Sequence, residues 1–144
     1  MREAGDKTGV ALCQLPLGFV ESAAGSLDAA RERFEESISM FKAVEDEWGT
    51  VISLNAFCWT AIAAGHDIGD EVFEEAVERA EQLGTDLEYG MALRNFGGRL
   101  ARTDRLEEAK DLLSRALAIL WRGYIRGGSS YTIDAIAEVA ADQG

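Results

Sequence analysis

Few residues in this chain could carry out acid–base chemistry. His66 is the single histidine, and Asp67 follows it directly. A histidine works as a general base when an orienting partner and a substrate pocket lie within hydrogen-bonding reach. The neighbouring sequence offers acids but no recognisable nucleophile. We therefore interpret His66 as a residue of a turn between two helices.

A cluster of carboxylates comes next in the chain. Its members share a short stretch just after the histidine: Asp70, Glu71, Glu74 and Glu75. Such a group could hold a divalent cation, but it lacks the spaced ligand loop of an EF-hand. Acidic residues at the start of a helix also interact favourably with the helix dipole. We favour this second interpretation and predict no metal site and no cofactor.

Nucleophilic and phosphate-binding chemistry is equally weakly supported. Cys13 and Cys58 lie in apolar sequence, without a C-x-x-C partner or an adjacent histidine. Core packing is the favoured interpretation, and a disulfide or a reactive thiol is the alternative.

The Gly-Gly-Ser-Ser run at 127–130 lacks the GK[ST] ending and the preceding strand of a phosphate-binding loop, so a helix N-cap explains it better. The chain is predicted not to be an enzyme.

Composition and charge restrict the partner classes. The 144 residues carry a net charge of −12, which is unlike the basic face of a DNA-binding segment. At 47% hydrophobic residues the chain is long and apolar enough for one globular domain, predicted over 1–144. No stretch has the length of a membrane span, and the first residues do not form a secretion signal. We expect no direct nucleic-acid binding, no membrane association and a cytoplasmic location.

An internal repeat organises the chain. Gly25, Gly65, Asp104 and Gly144 follow one another at separations of 40, 39 and 40 residues. Seven positions before each landmark stands a small residue, and a bulky apolar residue precedes it. These dipeptides are Leu17-Gly18, Phe57-Cys58, Phe96-Gly97 and Ile136-Ala137. Small side chains at these positions would let two helix backbones approach closely.

A second amphipathic helix is predicted after each of the first three landmarks. Phe34-Glu35-Glu36-Ser37-Ile38 matches Phe73-Glu74-Glu75-Ala76-Val77 and Leu113-Ser114-Arg115-Ala116-Leu117. Pro16 should kink the first helix or delay its start. Thr85 and Glu88 could form a capping box. We expect about seven helices, near 8–24, 27–44, 48–64, 69–83, 87–102, 105–121 and 129–142. The units would be repeats at approximately 8–46, 47–85 and 86–124, with a final capping helix at 129–142.

The bulky-small dipeptides and the small-then-bulky pattern downstream, Ala30 with Phe34 and Ala109 with Leu113, resemble the tetratricopeptide repeat. The 40-residue spacing is longer than that family's unit. A spacing of this length is similar to that in the helical-repeat regions of large bacterial LuxR-type and related ATPase-containing regulators. The resemblance implies an all-α fold, an α-solenoid of antiparallel helix pairs wound as a right-handed superhelix.

In such repeats the first helix of each pair lines the concave side. The resemblance thus implies a partner-binding face on these residues: Phe19, Asn55, Trp59, Met91, Arg94, Arg102 and Tyr131. Aromatic anchors with a few polar groups suit a peptide laid in a groove, and the two arginines could clamp a carboxylate. The alternative is that the aromatic residues are core or dimer contacts and that the arginines pair with neighbouring acids.

The predicted function is a non-catalytic protein–protein interaction scaffold within a bacterial signalling or transcriptional regulator. The alternative is an effector-sensing domain that binds a small molecule or signal peptide in its concave groove. A homodimer is also expected, because an end of a solenoid exposes the face that a neighbouring repeat would cover. The residues of that edge are Leu12, Leu15 and Val20.

Overall fold

The computed structural model describes residues 2–127 and 140–141. Over these residues the fold is all-helical, and no strand occurs in them. The six helices are α1 (Arg2–Ala23), α2 (Leu27–Ala43), α3 (Glu47–Ala64), α4 (Asp70–Leu83), α5 (Asp86–Arg102) and α6 (Leu106–Gly127). The helix predicted at 129–142 lies almost entirely outside the described residues. No helix of the described part is long and apolar enough to cross a membrane.

The chain divides into two compact units, with the boundary between Val72 and Phe73 inside α4. In the first unit α2 packs against both α1 and α3. In the second unit α5 and α6 form an antiparallel pair, and Phe73 of α4 stacks on Phe96 of α5. Within each unit, helices that follow one another in the sequence therefore pack together, as the alternation of short turns and amphipathic helices predicts.

Three of the repeat landmarks have the same local geometry. Gly25, Gly65 and Asp104 all have positive φ, at 84°, 68° and 61°. In each case the backbone N–H of the following residue donates to the carbonyl five positions earlier, at 2.8 to 3.0 Å. This left-handed helix ending satisfies carbonyls that the helix leaves unpaired, and glycine adopts it without strain. The aligned landmarks thus mark real helix ends.

Two glycines allow the close approach of helices that the dipeptide pattern predicts. A Cβ built on Gly18 would lie 2.8 Å from Cζ of Phe34, and one built on Gly97 would lie 2.8 Å from Cγ of Leu113. Phe34 and Leu113 are both almost fully buried. Each hairpin therefore depends on a large side chain of its second helix packing on a bare stretch of its first helix.

A buried polar chain links the three helices of the first unit. The hydroxyl of Ser37 donates to the carbonyl oxygen of Ala11 at 2.9 Å, and the Ser37 and Ser53 hydroxyl oxygens are 2.9 Å apart. Both serines are fully buried. Because Ser37 uses its one proton on Ala11, Ser53 must donate to Ser37.

Four details differ from the sequence-based predictions, and the first is that α6 continues to Gly127, six residues beyond its predicted end at 121. α1 begins at Arg2, so Pro16 does not delay the start of the helix but lies inside it. Thr85 is the N-cap of α5, but its side chain makes no capping hydrogen bond, so the predicted capping box with Glu88 is wrong. Cys58 is buried as expected, whereas Cys13 is exposed, so core packing was the wrong interpretation for Cys13.

Candidate functional site

An open groove in the first unit is the best candidate for a binding site. Phe19 of α1 and Trp59 of α3 form one wall, with ring centroids 6.0 Å apart and planes inclined by 77°. Such edge-to-face contacts are favourable for aromatic pairs. Nevertheless 37% of Phe19 and 45% of Trp59 remain exposed. Two large rings thus meet at the surface without being covered.

Small side chains form the rest of this site, which we call the aromatic groove. Its lining is Phe19, Ser22, Ala23, Trp59, Thr60, Ala63 and Ala64. The groove has a volume of about 560 Å³ and carries no charge among these described lining residues. The Thr60 hydroxyl donates to the Ala56 carbonyl at 2.7 Å, so its proton is already used. The groove can therefore bind an apolar group by its shape, and its lining residues offer few hydrogen-bonding groups.

A narrow cleft next to the aromatic groove contains His66. Its other lining residues include Arg31, Phe34 and Phe57, and its volume is about 10 Å³. That volume holds about one water molecule, which is too small for a substrate. The backbone N–H of His66 donates to the Ala61 carbonyl at 2.8 Å, so His66 follows the left-handed ending of α3. Its position is that of a turn residue.

The acidic stretch after His66 begins α4. Asp70 and Glu71 lie in the first turn of that helix. Glu75 accepts a hydrogen bond from Nε of Arg79 at 2.9 Å, one helical turn away. In the part of the chain that the structure describes, no three His, Cys, Asp or Glu side chains come close enough to hold a metal ion. The stretch behaves as a helix start and a solvated helix face.

The chain matches no protein-family model, and it matches no curated protein sequence.

The residues predicted for a concave face have different environments. Phe19 and Trp59 come together in the aromatic groove, whereas Asn55, on the same helix as Trp59, is buried. In the second unit Met91 is half-buried and Arg102, at the end of α5, is exposed. Tyr131 lies outside the described residues.

Arg94 is 7% exposed, and its Nη2 donates to Oδ1 of Asn95 at 3.2 Å. A guanidinium that is buried among neighbours has limited access to a carboxylate of a partner. Arg102 on the same helix does reach solvent. The carboxylate clamp by these two arginines stays a prediction.

The predicted dimer edge lies on α1. Leu12 is 39% exposed and Val20 is 65% exposed, while Leu15 is half-buried. Self-association through these residues stays a prediction. Sequence reasoning missed Val10 and Leu17, which are 49% and 44% exposed on the same helix. The signal that could have found them is the absence of charge in α1 from Thr8 to Val20.

Proposed function

We propose that this chain is a non-catalytic interaction module that binds a partner polypeptide through the aromatic groove. The observation that carries the proposal is the exposed Phe19–Trp59 pair, which lines one groove together with three alanines. Tryptophan is enriched among the few residues that carry most of the binding energy of protein interfaces. An open groove suits a segment of polypeptide better than a metabolite, which usually binds in an enclosed pocket with converging polar groups.

The charge of the chain indicates the chemistry of the partner. A net charge of −12 attracts basic polypeptides and repels acidic ones. The aromatic groove itself is uncharged, so it would take an apolar side chain. The partner we propose is a peptide with one aromatic or aliphatic anchor and flanking lysines or arginines. Its affinity should fall as salt screens the charges.

The wider architecture that we propose is a right-handed α-solenoid of tetratricopeptide type, within a bacterial signalling or transcriptional regulator. The recurring helix endings at Gly25, Gly65 and Asp104 support a repeated hairpin. The matching close approaches of Gly18 to Phe34 and of Gly97 to Leu113 support it as well. Each feature recurs at positions that align when the sequence is divided into units of about 40 residues.

A second candidate function is effector sensing. The volume of about 560 Å³ is within the size range of small-molecule sites. A thermal-shift screen of metabolites would separate the two functions. A rise in Tm with one compound that disappears in Trp59→Ala would favour sensing over polypeptide binding.

The direct test is selection of a phage-displayed library of random 12-residue peptides on the full chain. We expect enriched peptides to share an apolar anchor between basic residues. Truncating an anchor tryptophan costs about 2 kcal/mol or more, so Trp59→Ala should weaken a selected peptide roughly 30-fold. Isothermal titration calorimetry measures this ratio.

The matched control is Trp48→Ala, because Trp48 lies on the same helix and is exposed to a similar extent, 49% against 45%. It lies outside the lining of the aromatic groove. Its substitution should leave the affinity unchanged. Equal affinity of the selected peptides for wild type and Trp59→Ala would contradict the proposal.

A further inference from the structure

A stripe of exposed apolar residues runs along α1. Val10, Cys13, Leu17 and Val20 are spaced at three and four residues, so they share one side of the helix. All four are exposed, and Val20 reaches 65%. Gly9 lies beside them on the same side. We call these five residues the outer face of α1; it shares no residue with the aromatic groove.

The corresponding residues of α3, which stand 40 positions later, are buried. They are Thr50, Ser53, Phe57 and Thr60. The preceding helix α2 contacts two of them, Ser53 and Phe57, directly. Phe34 stacks on Phe57 with centroids 5.5 Å apart and planes inclined by 15°, and the Ser37 hydroxyl meets that of Ser53.

The same arrangement recurs in the second unit, 39 positions further on. Phe73 of α4 stacks on Phe96 of α5, with centroids 6.1 Å apart and planes inclined by 21°. In both stacked pairs the second ring follows the first by 23 positions. Ala92, which corresponds to Cys13, is buried. This side of a first helix is therefore where a preceding amphipathic helix packs.

A glycine supplies an independent observation. A Cβ on Gly49 would overlap the ring of Phe41, so the bare backbone of α3 is needed to receive α2. Gly9 stands at the corresponding position of α1, but no atom of the described residues lies within 4 Å of a Cβ built on it. Glycine destabilises the interior of a helix. None of the described neighbours of Gly9 would clash with a larger side chain there, so the packing within α1 does not explain why this residue is a glycine. Its place matches a contact that α1 does not make with any other described helix.

We propose that the outer face of α1 binds an amphipathic helix supplied by a partner polypeptide, in the way that α3 receives α2. The docked helix would run antiparallel to α1 and would carry three determinants. A large side chain would pack on Leu17, a small residue three positions later would face Cys13, and a large side chain seven positions after the first would cover Gly9. In α2 these determinants are Phe34, Ser37 and Phe41.

A synthetic peptide with the α2 sequence, Leu27–Ala43, is the probe for this surface. Fluorescein-labelled peptide is titrated into the full chain, and anisotropy reports binding. The rate of Cys13 alkylation is measured in parallel, since Cys58 is buried. We expect saturable binding and at least fivefold slower alkylation of Cys13. A peptide with alanine in place of Phe34 and Phe41 should bind at least tenfold more weakly.

Two variants of the chain make the test specific. Gly9→Leu enters open space, so it should raise Tm while weakening peptide binding at least tenfold. Leu17→Arg should weaken binding similarly, whereas Leu106→Arg, at a site 54% exposed on α6, should not. Circular dichroism confirms that each variant folds. Absence of saturable binding, or equal binding to Leu17→Arg, would overturn the proposal. A dimer that Leu17→Arg dissociates would also overturn it, because a second copy would then be the occupant.

Discussion

Gly18 of α1 and Phe34 of α2 lie in direct contact, without room for even a methyl group between them. The ring cannot move away, because Phe34 is 1% exposed and packs between Phe19 and Phe57. Gly97 and Leu113 have the same relationship in the second unit. The close approach of two helix backbones is thus fixed by one glycine in each hairpin.

Gly18→Ala should therefore destabilise the chain. Overpacking typically costs about 1–3 kcal/mol, which exceeds the gain of about 1 kcal/mol in helix propensity. Gly9→Ala is the matched control on the same helix, and it should stabilise the chain by about 0.5–1 kcal/mol because its Cβ meets no described atom within 4 Å. Urea unfolding followed by circular dichroism gives both values. A stabilising Gly18→Ala would show that the two helices are not in close contact.

The buried serines give a second prediction. Ser37→Ala removes the donor to the Ala11 carbonyl and the acceptor for Ser53, so it should cost about 1–3 kcal/mol of unfolding free energy. Ser37→Ala combined with Ser53→Ala should cost less than the sum of the two single changes, because both remove one shared hydrogen bond. Strict additivity in the double-mutant cycle would contradict the hydrogen-bonded chain.

The helix endings give a third prediction: substitutions at the aligned positions Gly65 and Asp104 should change the stability in opposite directions. Gly65→Ala places a Cβ on a residue whose φ is 68°. No described atom lies within 4 Å of that Cβ, so only the left-handed backbone should lower the free energy of unfolding, by about 1 kcal/mol. Asp104 already has φ of 61°, so Asp104→Gly should stabilise by up to about 1 kcal/mol. Tm shifts of the same sign for both variants would contradict the shared left-handed geometry.

The helices could be predicted from the sequence because α2, α4 and α6 are amphipathic, α3 is apolar on nearly every side, and the same end signal recurs at Gly25, Gly65 and Asp104. α2 to α5 begin and end within about three residues of the predicted bounds. α1 was predicted to begin near residue 8, whereas the six residues Arg2 to Lys7 continue the helix. These six residues are polar or small, so no apolar periodicity indicates a helix there.

The candidate site could be predicted only in part. Phe19 and Trp59 were expected to line a face, and the structure places their rings together. The alanines of the groove were not expected, because small residues are common in every helix and only the folded backbone shows which of them leave a depression. Exposure was also missed at Leu17, since its pattern is that of Phe57 and Phe96. Periodicity identifies the side of a helix but not whether another helix covers it.

The fluorescence of Trp59 tests most directly whether the aromatic groove binds a polypeptide. Replacing Trp48 and Trp121 with phenylalanine leaves Trp59 as the only tryptophan of the three. On addition of a saturating peptide from the library selection, we predict a blue shift of the Trp59 emission and protection from iodide quenching. Binding without change in the emission or quenching of Trp59 would contradict the account, because the peptide would then bind elsewhere.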